Sequence, residues 1–171
     1  MLEIRDLPSI ETLEAFGKQY NNPDVDALHT WLLWTARTTD ALSEFDTFLL
    51  EHDLMQSKFF VLMLLKRNAA GLSVGALAAG VGVTSPTMTR IIDRMEAAGL
   101  CVKHADEMDR RAWVVRLGEE GDRILARVVP KYYAWVANFM SDFTPADRKD
   151  LRRLMKKAVG SLVRMREYSA T

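Results

Sequence analysis

The order of glycines, apolar residues and basic residues between positions 72 and 117 limits what this 171-residue chain can fold into more than any other feature. Two short helical patterns are separated by the glycine-rich stretch 80–83, which favours a turn. The second pattern ends at Gly99, a residue suited to the left-handed position after a helix. Two strand patterns, 100–104 and 113–117, then enclose a polar and charged segment. These residues therefore predict a helix, a turn, a second helix and a β-hairpin.

The second helix of this pair has two distinct sides. It is predicted to run to Ala98 from an N-cap at Ser85, with Pro86 at its first helical position. Thr84 is the alternative cap. One side is apolar and consists of Met88, Ile91, Ile92 and Met95. A helix of this size fits the major groove of DNA, where arginine can bond guanine and threonine can contact thymine methyl groups or phosphates. The alternative is an ordinary solvated helix face. We expect six polar-side residues to contact DNA: Ser85, Pro86, Thr87, Thr89, Arg90 and Arg94.

Basic residues at the hairpin tip suggest a second contact with DNA. A ribbon beside a groove-reading helix can reach the neighbouring minor groove, where the negative potential of DNA is strong. Either Arg110 or Arg111 can supply that contact, and the other is expected to pair with Asp93. Because DNA repels an acidic side chain, we interpret Asp93 as a residue that fixes the angle of the hairpin. The alternative is that the tip is only a mobile charged loop.

Charge is unevenly distributed, although the chain as a whole has a formal net charge of zero. Residues 1–53 contain three basic and eleven acidic side chains, which leaves twenty basic and twelve acidic ones in the rest of the chain. Affinity for DNA depends on a local basic surface rather than on the total charge. Overall neutrality is therefore compatible with DNA binding.

Long helical patterns lie on both sides of the segment 72–117. Apolar residues recur at three- and four-residue steps in five stretches: 9–20, 24–52, 55–67, 119–143 and 144–168. The second stretch predicts a helix about 40 Å long, which is too long to pack only on a small helix-turn-helix lobe. Pro130 is expected to kink the fourth, at a cost of about 3 kcal/mol unless packing compensates. We therefore expect the long helices to pack against a partner.

Four motifs resemble the MarR family of bacterial transcription regulators, and they occur in that family's order. Residues 54–62 are similar to its helix L-T-x-x-Q-F-x-V-L, and residues 84–100 to its recognition helix S-x-x-T-V-T-R-x-V-D-R-L-E-x-x-G-L. Asp109 and the residues after it resemble the wing signature D-x-R, and residues 117–121 resemble L-T-x-x-G. The order and spacing of all four make the match specific. Lys103 departs from the family, which usually has an arginine there.

The resemblance implies a mostly α-helical protein with a small β-hairpin wing, in which a winged helix-turn-helix lobe is joined to a dimerisation region made by the terminal helices. The expected boundaries are dimerisation helices at 1–53, the DNA-binding lobe at 54–118 and further dimerisation helices at 119–171, in one intertwined domain. Within the wing, the resemblance makes Asp109 an organising residue beside Asp93.

The function implied by the resemblance is sequence-specific transcriptional regulation. The expected protein is a ligand-responsive repressor that acts as a homodimer on a palindromic DNA operator, with half-sites about 34 Å apart. The alternative is a winged-helix module that docks on other proteins and binds no DNA.

Trp31, Trp34 and Arg37 are candidates for an effector site, because they lie close together on one predicted helix. The resemblance implies a small, often aromatic and anionic ligand between the dimer helices and the winged lobe. An indole face beside a guanidinium would suit an aromatic carboxylate or a purine-like anion. The alternative is packing in a dimer interface, where Trp and Arg are common.

The remaining reactive residues predict neither an enzyme nor a metalloprotein. Cys101 is the only cysteine, and its place in a strand favours a buried, inert thiol over an oxidation sensor. The three histidines lack metal-ligand spacing, and no motif for catalysis or for a bound cofactor is present. No apolar run approaches the length of a membrane span, about 20 residues, and the first residues lack the apolar core of a signal peptide. We therefore expect a cytoplasmic protein with no cofactor, no metal and no catalytic residues.

Overall fold

The computed structural model of the chain describes residues 6–21, 24–105 and 113–169. Those residues form seven helices and three strands, in the order α1 Ile10–Gln19, α2 Val25–Leu50, α3 Gln56–Arg67, β1 Leu72–Ser73, α4 Val74–Val81, α5 Ser85–Ala97, β2 Cys101–Ala105, β3 Trp113–Leu117, α6 Glu119–Phe139 and α7 Pro145–Ser169. The prediction of a mostly helical chain with a small β wing is confirmed. The chain divides into two compact units at Asp122, within α6.

Glycines mark the ends of both helices of the helix-turn-helix pair. Gly82 ends α4 in the left-handed conformation, with φ of 78°, and Gly99 follows α5 with φ of 69°. These angles are costly for residues that carry a Cβ atom but not for glycine. The predicted end of the second helix is therefore confirmed. The turn is shorter than the predicted stretch 80–83, because Gly80 and Val81 still belong to α4.

Thr84, rather than Ser85, caps the start of α5. The backbone of Thr84 is extended, and its Oγ1 atom accepts a hydrogen bond from the Thr87 N–H at 3.4 Å. Ser85 is thus the first helical residue, and Pro86 is the second. The sequence-based prediction of a Ser85 cap is wrong, because proline is tolerated throughout the first helical turn, where its missing N–H needs no partner.

The wing is a three-stranded antiparallel sheet, not only a two-stranded hairpin. Its strand order is β1-β3-β2. Leu72 of β1 pairs with Val115, and Cys101 of β2 pairs with Leu117. Strand β1 was not predicted from the sequence, because two residues are too few to display an alternating pattern. The extra strand ties the start of α4 to the wing.

The boundary between α6 and α7 differs from the prediction. Helix α6 ends at Phe139 instead of Phe143, because the chain tightens there into turns such as the hydrogen bond from the Ser141 N–H to the Asn138 carbonyl at 3.1 Å. Pro130 lies inside α6. A reciprocal cap begins α7: Thr144 N–H donates to Asp147 Oδ2 at 2.9 Å, and Asp147 N–H donates to Thr144 Oγ1 at 3.2 Å. The hydrogen bonds from Thr144 lower the pKa of Asp147 below its usual range.

The core of the first unit lies beneath α5. Helix α5 packs against α3, α4 and β2. Its apolar residues Met88, Ile92 and Met95 have no exposed surface. The neighbouring elements contribute equally buried side chains: Phe59, Leu62, Leu65, Leu77 and Cys101. This packing fixes the orientation of α5 about its own axis.

Gly118, between β3 and α6, passes against the backbone that follows α5. A Cβ atom at this position would overlap the carbonyl oxygen of Gly99 and would lie 3.0 Å from the backbone nitrogen of Cys101. Backbone atoms cannot swing away as a flexible side chain can. The junction between the wing and α6 therefore requires glycine for close approach.

Replacing Gly118 with alanine is expected to lower the free energy of unfolding by about 1–3 kcal/mol, the usual cost of overpacking. Gly75→Ala is the matched control, because its Cβ would meet nothing closer than Ser73 Oγ at 4.0 Å. Urea denaturation should give a lower midpoint for the first variant and an unchanged or higher one for the second. Equal midpoints for the two variants would contradict the close approach of Gly118 to the backbone at Gly99 and Cys101.

Cys101 is a buried thiol, as the sequence predicts. Its side chain is 1% exposed, and Sγ lies 3.8 Å from the Ile92 carbonyl oxygen. Burial raises the pKa of this thiol to about 11, with a further contribution from the negative charge of Glu96 and an opposing one from Lys103. The thiolate, which is the reactive form, is therefore scarce at neutral pH.

Native Cys101 is expected to react slowly with a thiol reagent such as iodoacetamide at pH 8.5, and to react rapidly once urea unfolds the chain. In the unfolded chain half of the thiol is ionised near that pH, whereas the folded thiol keeps its proton until about pH 11. The folded state thus binds the extra proton, so this group's contribution to stability decreases as the pH rises from about 8.5 to 11. Native labelling as fast as unfolded labelling would contradict the burial.

Candidate nucleic-acid interface

The exposed side of α5 carries all six of the helix residues predicted to contact DNA. They project from a helix whose opposite side is buried, and each is exposed to solvent: Ser85, Pro86, Thr87, Thr89, Arg90 and Arg94. Thr87, Arg90 and Arg94 are spaced three and four residues apart, so they form one stripe along the helix. Among the residues that the structure describes, neither Arg90 nor Arg94 has an acidic partner. Both guanidinium groups can therefore bind an external anion or base edge.

The two threonine hydroxyls of α5 differ in what they can still donate. Thr89 Oγ1 donates to the Ser85 carbonyl at 3.0 Å, which uses its one hydroxyl proton. Thr87 Oγ1 lies 2.9 Å from Thr84 Oγ1 and forms a hydrogen bond with it. Thr89 is consequently better suited to contact a thymine methyl group through its own methyl than to donate to a phosphate.

Asp93 and Glu96, on the last turns of α5, bind the wing strand β2. The Lys103 ammonium lies 2.8 Å from Asp93 Oδ1 and 2.8 Å from Glu96 Oε2. The backbone N–H of Lys103 also donates to Glu96 Oε1 at 2.9 Å. In the sequence Lys103 is distinctive only as a departure from a family pattern, because its pairing joins residues of two separate elements and no local pattern displays it.

The wing tip that the sequence analysis singled out lies outside the described residues. This applies to Asp109, Arg110 and Arg111, and with them to the predicted pairing of one of these arginines with Asp93. The partner of Asp93 that the structure does describe is Lys103.

A groove of about 390 Å³ runs beside α5 at the base of the wing. It is lined by Thr89 and Asp93 of α5, by Lys103 and Trp113 of the wing, and by residues 73–75 at the start of α4. Trp113 is 52% exposed, and the sequence analysis did not select it. Alternation along β3 places it on the same side of the sheet as the buried Val115, which is the signal that could have found it.

Trp31, Trp34 and Arg37 are exposed on α2. The two indole rings are edge to face, with centroids 6.4 Å apart. Arg37 Nη1 forms an ion pair with Asp40 Oδ2 at 2.8 Å, and both of these side chains are largely exposed. The guanidinium is thus held by a neighbouring carboxylate on the same helix, and an anionic ligand would have to compete with that carboxylate.

Two searches of the described residues bear on other kinds of site. In ranges 6–21, 24–105 and 113–169, no group of three or more His, Cys, Asp or Glu side chains is arranged to hold a metal ion. Across the same ranges, every helix is too short or too polar to cross a membrane.

Comparison with known proteins assigns the helix-turn-helix and wing region to a family. The family model described as the MarR family matches residues 54–113. The transcriptional regulator PecS of Dickeya dadantii is 26% identical over 155 residues, which cover 87% of this chain and 93% of PecS.

Solved structures share the fold. AbsC, a MarR family regulator from Streptomyces coelicolor, superposes with a TM-score of 0.70 at 22% identity, over 79% of this chain and 94% of AbsC. The transcriptional repressor CouR, bound to a 23-mer DNA duplex, gives 0.67 at 22% identity, over 81% of this chain and 96% of CouR. Residues 54–113 thus match the MarR family of transcription regulators, and over most of its length the chain is similar to the regulator PecS and shares the fold of MarR family structures.

Proposed function

We propose that the protein is a homodimeric, ligand-responsive repressor that reads a palindromic DNA operator with α5 in the major groove and the wing on the flanking groove. The observation that carries this proposal is the stripe of Thr87, Arg90 and Arg94 on a helix whose other side buries Met88, Ile92 and Met95. The packing fixes, before any DNA is bound, the side of α5 from which the guanidinium groups project. The DNA complex of CouR supports the same use of this fold. Binding to chromosomal DNA would place the protein in the cytoplasm.

Exposed apolar residues on the terminal helices support the homodimer. On α7 they form a long set at helical spacing: Leu154, Met155, Val159, Leu162, Val163, Met165 and Tyr168. On α2 they include Trp31, Leu33, Trp34 and Leu42. Apolar area removed from water contributes about 25 cal/mol per Å², so such surfaces favour a partner. A second copy supplies identical surfaces and gives two recognition helices for a palindrome.

Ligand response would act by favouring one arrangement of the two lobes over another. A ligand that prefers the non-binding arrangement weakens DNA binding by its differential affinity, about 1–3 kcal/mol for typical coupled sites. Trp31, Trp34 and Arg37 are the proposed effector residues, with an aromatic carboxylate or a purine-like anion as ligand. Burial of the same residues between the two copies is the competing role.

Arg90→Ala is expected to prevent detectable operator binding while leaving the dimer intact. Loss of a bidentate contact costs about 1–3 kcal/mol in each of two half-sites, and α5 packing does not involve this side chain. DNA fragments selected from the genome with purified protein supply the operator for a gel shift, and sizing chromatography reports the dimer.

Arg67→Ala, an exposed arginine at the end of α3, is the matched control for that experiment. It should bind DNA like the unmodified protein. If Arg90→Ala binds the operator as tightly as the unmodified protein, the stripe does not contact DNA. If the same variant is no longer a dimer, Arg90 also takes part in dimerisation.

The effector proposal predicts that aromatic acids bind to the protein and that Trp34→Ala weakens the binding at least tenfold. The reason is the loss of the indole face, whereas Trp34→Phe should keep much of it. Isothermal titration measures both. An absence of binding to the unmodified protein, or equal affinity for both variants, would leave the dimer interface as the role of these residues.

A further inference from the structure

We propose that Lys103 is a positioning residue that holds the wing against the recognition helix, so that the wing contact with DNA depends on a side chain that does not touch DNA. The inference rests on the proposed function, because it concerns how the two DNA-contacting elements are kept in register.

Three hydrogen bonds from one residue join the wing strand β2 to α5. The Lys103 ammonium reaches Asp93 Oδ1 and Glu96 Oε2, each at 2.8 Å. The backbone N–H of the same lysine reaches Glu96 Oε1 at 2.9 Å. Both oxygens of Glu96 are thus occupied by a single partner. Two carboxylates one helical turn apart and one lysine therefore define the orientation of β2 relative to α5.

The position of β2 in the sheet explains why this contact matters. In the order β1-β3-β2, strand β2 is an edge, and only one of its sides pairs with another strand. Lys103 faces Val115 in the register, and its N–H is directed instead to Glu96. Glu96 thereby satisfies a donor on the open edge of the wing. The base of the wing is attached to the recognition helix through main chain as well as side chain.

The electrostatics of the cluster also favour this role over direct contact with DNA. The hydrogen bonds from Lys103 lower the pKa of Glu96, and Asp93 and Glu96 raise the pKa of the Lys103 ammonium, so Glu96 and Lys103 are both ionised at neutral pH. One ammonium faces two carboxylates, which leaves a net negative charge. The Lys103 side chain is only 24% exposed, whereas that of Asp93 is 56% exposed. A group held in this way is poorly placed to neutralise a phosphate.

Removal of the Lys103 side chain would loosen the attachment of the wing to α5, of which the main-chain bond to Glu96 would remain. It would also leave two carboxylates three residues apart, without their counter-charge, on the helix proposed to face DNA. Lys103→Met keeps the aliphatic stem without the charge, and Lys103→Arg can restore both ion pairs. Lys66→Ala is the matched control, because it also removes an ion pair with a carboxylate, that of Asp122, in the same unit.

The test is a double-mutant cycle on operator affinity, with Lys103→Met combined with alanine at both Arg110 and Arg111. Lys103→Met is expected to weaken binding at least fivefold, within the range for residues of one ion-pair network. Lys103→Arg should recover most of that loss, and Lys66→Ala should lose nothing. In a protein that lacks both Arg110 and Arg111, Lys103→Met should reduce operator affinity little further, because Lys103 acts only by positioning the wing that carries these arginines. Thermal unfolding of each variant checks that the fold is retained.

The outcomes separate this inference from the proposed function. If the unmodified protein binds no genomic fragment, the proposed function fails. If it binds and Lys103→Met binds equally well, the positioning role is wrong. If the losses in the cycle are additive and the salt dependence falls by about one phosphate contact for each of the two subunits, Lys103 contacts DNA directly, and the positioning role is also wrong. If Lys103→Met binds more weakly while its unfolding midpoint is lowered, and Lys103→Arg fails to restore binding, the role of Lys103 is fold stability alone, and the positioning role is wrong.

Discussion

The burial of one side of α5 is the constraint on which the rest of the site depends. Met88, Ile92 and Met95 have no exposed surface, and they face the packed elements α3, α4 and β2. An α-helix has 3.6 residues per turn. When the side with Met88, Ile92 and Met95 is buried, Arg90 and Arg94 therefore project into solvent. The geometry of the proposed DNA-reading surface is thus a consequence of core packing: the apolar contacts that stabilise the lobe also fix the side of α5 from which Arg90 and Arg94 project.

Features of α5 that depend on neighbouring residues were predicted correctly from the sequence. Contacts between separate segments were not predicted. The left-handed glycines at 82 and 99 and the apolar spacing of α5 are readable because each is a property of neighbouring residues. Thr84 and Ser85 are adjacent hydroxyl residues, so sequence alone could not choose the cap. The pairing of β1 with β3 and that of Lys103 with Asp93 and Glu96 join separate segments, and no local pattern encodes them.

The terminal helices illustrate a different limit of sequence reasoning. Their apolar spacing predicted helices correctly, and it also predicted a partner. In the described chain, α7 has exposed apolar side chains from Leu154 to Tyr168. If a second copy packs on these side chains, as proposed, the structure of one chain does not show that contact.

The most direct test of the central claim is the salt dependence of DNA binding, measured as the slope of log affinity against log salt concentration for fragments selected from the genome. Two recognition helices with their wings should make six or more phosphate contacts, so the slope should be about −5 or steeper, at roughly −0.9 for each contact. A protein that instead docks on other proteins through apolar surface would show no such dependence. A flat slope, or no selected fragment at all, would contradict the assignment of α5 to the major groove.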